Sequence, residues 1–78
     1  MRLKEDCVVI TFASTTDAMA AELFFNKKAL SGRLIPVPTS ITAGCGMAWK
    51  APAEDRDVLL AALSCEGLRY DKDYHMPL

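Results

Sequence analysis

The chain has 78 residues, with 9 Lys and Arg against 10 Asp and Glu and a formal net charge of −1 at pH 7. Its 51% hydrophobic and 24% charged residues indicate a globular core rather than disorder. The near-neutral charge argues against nucleic-acid binding, and no apolar run reaches the roughly 18 residues of a membrane span. Because the N-terminus is also too acidic for a signal peptide, we expect a cytoplasmic domain without a nucleic-acid or membrane partner.

The first two predicted elements are a strand and a helix. Residues 7–12, CVVITF, are β-branched and aromatic and predict a central strand that is apolar on both faces. Ser14 opens an S-x-x-D pattern that caps a helix and puts the Asp17 carboxylate into its first turn. We predict that this helix covers residues 15–29 and is ended by the Ser-Gly pair at 31–32. Its buried face should carry residues three or four apart, namely Ala18, Ala21, Phe25 and Ala29.

Two further strands and a second helix follow. Residues 33–38, RLIPVP, predict a second strand, and Pro36 places it at a sheet edge because proline has no N–H to donate. After a loop of small and hydroxyl residues, a third strand is predicted over 46–50. Pro52 opens the second helix, and Gly67 closes it as a left-handed cap. The apolar positions of this helix are Val58, Leu59, Ala62, Leu63 and Cys65.

The order of these elements predicts the fold. A last edge strand is predicted at residues 68–70, with an extension toward Tyr74 left open, and it completes the order β-α-β-β-α-β. For this length, that order predicts an α+β ferredoxin-like sandwich, with two helices on one face of a four-stranded antiparallel sheet. We expect a single domain over 1–78, with its core at about 7–70 and a tail at 71–78. The first strand is apolar on both sides, but the helices can cover only one face of the sheet. We therefore predict that the face without helices is partly buried in a homodimer or partner interface.

The three cysteines are the main chemical signal. An odd number without an export signal argues against a disulfide framework. Their spacing, with a single histidine at His75, argues against an internal zinc site. Cys7 and Cys65 lie in apolar segments and are interpreted as core or partly buried residues.

Cys45 is the candidate reactive residue. The predicted topology brings it near the first turn of the first helix, where partial positive charge and free N–H groups favour a thiolate. Gly44 and Gly46 flank it and leave room for a partner's active site. No His or Lys is predicted beside it, which disfavours a Cys–His hydrolase. The groups that could bind an anion or adduct around the sulfur, besides the two glycines, are Ser14, Thr15 and Thr16.

Short stretches spread over residues 8–70 carry a resemblance to a known family. They are ITFASTT at 10–16, AE at 21–22, RLIPVP at 33–38 and CG at 45–46. Together they resemble a family of small bacterial proteins described as selenium/sulfur carriers, long catalogued as a domain of unknown function. The resemblance implies one cysteine, Cys45 in this chain, that carries sulfur or selenium as a persulfide or selenopersulfide between a donor and an acceptor protein.

Three functions remain as hypotheses. The preferred one is a covalent sulfur or selenium carrier without enzymatic turnover of its own, in which no cofactor or metal is expected beyond the chalcogen on Cys45. The second is a non-catalytic module that binds a protein or a small ligand, for which an uncovered sheet face would serve. The third is a redox-sensing thiol. The chemical state of Cys45 separates the three, because a persulfide, an unmodified thiol and a sulfenate have different masses.

Overall fold

A computed structural model describes residues 5–41 and 46–78. Its elements are β1 (Asp6–Thr11), α1 (Thr15–Lys27), β2 (Arg33–Pro36), β3 (Met47–Pro52), a 3-10 turn (Ala53–Asp55), α2 (Arg56–Glu66) and β4 (Asp73–Pro77). The strands form one antiparallel sheet in the order β2-β3-β1-β4. The predicted α+β ferredoxin-like arrangement is confirmed, with β1 and β3 at the centre and the proline-containing β2 at an edge.

The main core lies between the helices and one face of the sheet. Small residues on α1, Ala18 and Ala21, are fully buried, so the helix backbone lies close to the sheet. One turn further on, Phe25 packs on Trp49 of β3, with ring centroids 4.8 Å apart and ring planes at 45°. From α2, Leu59 and Leu63 enter the same core. Their spacing of four residues is that of one helical face.

The end of α1 differs from the prediction. The helix ends at Lys27 rather than at residue 29, and Ala29 is exposed in a left-handed conformation with φ +54°. The amide of Leu30 donates to the carbonyl of Phe25 at 2.9 Å, which closes the helix one turn before the Ser-Gly pair. Leu30 then packs against the core, and this burial explains why an alanine tolerates the unfavourable φ.

The last strand also lies elsewhere than predicted. Gly67 is the left-handed cap expected, with φ +71°, but the next residue, Leu68, belongs to that cap. The amide of Leu68 donates to the carbonyl of Leu63 at 2.9 Å and its side chain packs on the core, so it cannot begin a strand. Strand β4 begins instead at Asp73, inside the region predicted as a tail. The strand is therefore absent from 68–70 and is found at the extension toward Tyr74, and residues 73–77 form a strand rather than a tail.

Two contacts fix the position of β4. The buried Thr11 exchanges backbone hydrogen bonds with the turn before β4: its amide donates to the carbonyl of Lys72 at 2.8 Å, and its carbonyl accepts from Asp71 at 2.7 Å. Arg56, at the start of α2, donates from Nε to Oδ2 of Asp73 at 2.6 Å. This hydrogen bond, together with the charge of Asp73, raises the pKa of Arg56 above its usual value.

The middle of the sheet's second face is covered by the chain itself. After β2 ends at Pro36, the chain turns over this face, and Ile41 packs on Val9 and Ala48, which are both fully buried. The predicted homodimer rested on this face being uncovered. That premise is wrong for the middle of the face, because the second strand stops two residues early and the following residues cover Val9 and Ala48. The homodimer itself stays a prediction.

Candidate functional site

The candidate site lies at the end of the sheet where β1 finishes and β3 starts. The register pairs Thr11 of β1 with Ala48 of β3, so Gly46, just before β3, lies at the end from which α1 departs. Gly46 and the start of α1, at Ser14, therefore lie at the same end of the sheet. Two predicted site residues, Gly44 and Cys45, lie outside the described residues.

The first turn of α1 supplies both hydrogen-bond donors and an opposing charge. Ser14 is the N-cap, and its Oγ accepts from the amide of Asp17 at 3.1 Å. The amides of Thr15 and Thr16, both exposed, have no protein acceptor within the described parts of the chain. They are therefore available to a bound anion. The carboxylate of Asp17 in the same turn offsets part of the positive charge at this helix end.

Gly46 combines a fixed carbonyl with a left-handed backbone conformation. Its carbonyl accepts from the amide of Val37 at 2.9 Å, which ties the start of β3 to the end of β2. Its φ is +79°, in the region that favours glycine, and a side-chain carbon added there would meet no atom of residues 5–41 or 46–78 within 4 Å. The glycine is thus needed for the backbone conformation rather than for close packing against these residues.

One residue important to this site was not predicted. Ile41 is 9% exposed, and its amide donates to the carbonyl of Pro38 at 2.9 Å. It anchors the chain to the sheet immediately before residues 42–45, as Gly46 does immediately after them. The feature of the sequence that could have predicted this contact is one large apolar residue in the otherwise polar stretch TSIT, because such a residue in a loop is typically buried against the core.

The other two cysteines have different environments. Cys7 is 3% exposed, and its thiol donates to the carbonyl of Glu5 at 3.3 Å, in agreement with the predicted core position. Cys65 is exposed, so its interpretation as a core or partly buried residue is wrong. It lies two residues after the buried Leu63, which turns it to the far side of α2.

Two further findings concern metals and membranes. Within residues 5–41 and 46–78, no three or more His, Cys, Asp or Glu side chains come together as a metal site would require. Among the helices described, none has the length and apolar character needed to cross a membrane.

Comparison with known protein families identifies the family of this chain. Residues 6–75 match the model of the family described as Putative Se/S carrier protein-like, a span from the start of β1 into β4. No curated protein and no solved structure matches the chain. Since the matched span includes both helices, the first three strands and the start of β4, the chain belongs to the Se/S carrier protein-like family.

Proposed function

We propose that this protein carries sulfur or selenium on Cys45 between a donor and an acceptor protein. The observation that carries the proposal is the family match over residues 6–75, whose description names a carrier of these elements. The choice of Cys45 is supported by its neighbour Gly46, which lies at the end where α1 presents two free amides. The alternatives in the chain are less suited, since Cys7 is buried and Cys65 lies on the last turn of α2.

The transfer step needs no external oxidant or reductant. The thiolate of Cys45 attacks the outer sulfur of a persulfide on a donor cysteine, which forms a new S–S bond and breaks the S–S bond of the donor. The donor sulfur leaves as a thiolate, and Cys45 holds the transferred atom as a persulfide anion. Delivery to an acceptor thiolate follows the same exchange. With a selenopersulfide donor, selenium moves in place of the outer sulfur.

The local chemistry suits an anionic adduct. A persulfide anion extends one atom beyond the cysteine sulfur and needs hydrogen-bond donors that do not protonate it. The amides of Thr15 and Thr16 are donors of this kind, and the hydroxyls of the same residues add two more. Asp17 opposes the anion, so the site should hold the adduct weakly enough to release it to an acceptor.

Loading with a small persulfide tests the proposal. The wild-type protein and the variants Cys45→Ser and Cys65→Ser are incubated with glutathione persulfide, and intact mass and peptide mapping locate the added sulfur. We expect Cys65→Ser to gain sulfur at the wild-type rate, with the added atom on Cys45. We expect Cys45→Ser to lose at least about tenfold in the initial rate, the size of effect given by losing a stabilised thiolate. Equal rates for Cys45→Ser and wild type would contradict the proposal.

Alkylation provides a second prediction that does not depend on the donor. Cys45 should react with iodoacetamide fastest of the three, with a pKa below the ordinary value of about 8.5, because free amides stabilise its thiolate. Labelling across a pH series, followed by peptide mapping, gives the rate of each thiol. Exposed Cys65 is the internal control for access, and buried Cys7 should label only after unfolding. A Cys45 rate that reaches its midpoint at or above pH 8.5 would count against a stabilised thiolate.

A non-covalent interaction module is the second candidate function, and one observation favours it. Met19 and Leu23 lie one helical turn apart on α1 and are 60% and 72% exposed. Leu23 also borders a groove of about 240 Å³ that reaches Leu68. The loading experiment separates the two functions, since an interaction module has no need for a preferred reaction at Cys45.

A further inference from the structure

Two positive side chains lie next to each other on the sheet face that the helices do not cover. The register pairs Arg33 of β2 with Lys50 of β3, and Lys50 in turn with Val9 of β1. Register partners in antiparallel strands point to the same face, and Val9 belongs to the cluster beneath Ile41. Arg33 and Lys50 are therefore direct cross-strand neighbours, a placement in which like charges repel and destabilise the sheet.

No nearby carboxylate neutralises this pair. The ion pairs found within the described ranges belong to Arg56 and His75, and neither Arg33 nor Lys50 takes part in one. Glu5 lines the same groove as the two cations, but its carboxylate forms an ion pair with neither of them. In a protein with a net charge of −1, two adjacent unpaired cations are a local positive site.

The cations border a groove large enough for a small molecule. The groove has a volume of about 430 Å³, within the range of roughly 300–1,000 Å³ typical of ligand sites. Its lining includes two apolar residues, the nearly buried Cys7 and the exposed Pro52. It lies towards the end where β1 begins and β3 finishes, away from Gly46. The residues that line it are Glu5, Cys7, Gly32, Arg33, Lys50, Ala51 and Pro52.

We infer that this groove binds a small ligand that carries a carboxylate or phosphate group. The oxyanion lies between the guanidinium of Arg33, which can donate two parallel hydrogen bonds, and the ammonium of Lys50. The remainder of the ligand packs against Cys7 and Pro52. Bound anion removes the repulsion between the two cations, so binding and stability are coupled. The site is independent of the carrier function, because it shares no residue with the end where Gly46 and the start of α1 lie.

An NMR titration tests this inference. Amide spectra of ¹⁵N-labelled protein are recorded with sodium phosphate, with citrate as the carboxylate source, and with sodium chloride at matched ionic strength. We expect saturable shifts at Gly32, Arg33, Lys50 and Ala51 with phosphate or citrate and not with chloride; whichever of the two binds more tightly identifies the anion chemistry. Lys50→Gln should weaken binding at least tenfold. Arg69→Gln, which removes one charge from an exposed residue outside the groove, should bind as wild type.

Thermal unfolding gives an independent readout of the same site. Without added anion, Lys50→Gln should have a Tm equal to or above that of wild type, because it removes the like-charge contact. Phosphate or citrate should then raise the Tm of wild type and of Arg69→Gln but leave that of Lys50→Gln unchanged. Shifts that chloride reproduces, binding unaffected by Lys50→Gln, or a lower Tm of Lys50→Gln without anion would each overturn the inference.

Discussion

Replacing Gly32 by alanine should leave the protein largely unfolded at 37 °C. Gly32 has φ +112°, a conformation that residues with a side chain rarely adopt. An added carbon would also lie 2.5 Å from the carbonyl oxygen of Lys50 and would overlap the indole of Trp49. The backbone oxygen cannot move without disturbing β3, and Trp49 is fixed by donating from Nε1 to the carbonyl of Ser31 at 3.0 Å. Strain and overlap together should cost about 3–5 kcal/mol, a large share of the stability of a small domain.

Urea unfolding followed by circular dichroism measures this loss. Gly67→Ala is the matched control, since Gly67 also has a left-handed φ, of +71°, but an added carbon there meets no atom within 4 Å. It should lose only about 1–2 kcal/mol, the strain of the backbone alone. Equal losses in the two variants would show that the contact of Gly32 with Trp49 and Lys50 has no energetic importance.

Replacing Phe25 by alanine should cost about 3–5 kcal/mol, the usual range for a fully buried phenylalanine. Phe25 is fully buried against Trp49, and the cavity left by its removal would lie between α1 and the sheet, where neither can close it without breaking other contacts. The fluorescence of Trp49, the single tryptophan, reports unfolding directly and also senses the loss of the ring beside it.

The neighbouring Phe24 offers a matched control for this experiment. It is the same residue type on the same helix, but it is only partly buried at the edge of the core. Phe24→Ala should therefore cost no more than about 1–2 kcal/mol, in proportion to the smaller area it buries. If Phe24→Ala were as destabilising as Phe25→Ala, the core would lie more towards the outer side of α1 than the structure indicates.

The parts of the fold that follow from local patterns could be predicted from the sequence. Ser14 and Asp17 mark the start of α1, because the side chain of Ser14 accepts a hydrogen bond from the amide of Asp17. Pro36 marks an edge strand and Gly67 a helix end, because each restricts or permits a particular conformation of its own backbone. The buried face of α1 followed from the spacing of Ala18, Ala21 and Phe25, which a helix brings to one side.

The parts that depend on tertiary contacts were missed. Taken alone, Leu68 resembles the start of a strand, but its amide and side chain complete the cap of α2. The position of β4 is set by hydrogen bonds that involve Thr11 and Asp73. Similarly, the sequence showed that one sheet face needed a cover, yet it did not show that Ile41 supplies it, because contact between a loop and a sheet has no periodicity.

At the candidate site, the common end of Gly46 and α1 followed from topology alone. The effect of Asp17 on the charge at this end was not predicted. Its carboxylate was considered as part of the helix cap and not as a neighbour of a bound anion. The burial of Cys65 was predicted wrongly because only its apolar side chain was considered. Its position two residues after the buried Leu63 puts it on the opposite side of the helix, away from the core.

The double anchoring by Ile41 and Gly46 has a consequence for how a chalcogen would travel. The Cα atom of Cys45 is one peptide bond, or about 3.8 Å, from that of Gly46, whose carbonyl is held by Val37. A cysteine on a long tail can swing between two active sites while its protein stays in place, whereas Cys45 is joined directly to Gly46, whose carbonyl is bound at the start of β3. Delivery would therefore require the whole protein to leave the donor and meet the acceptor, as a diffusing shuttle does. The transfer rate should then rise with the concentration of the carrier, up to the rate at which two proteins dock.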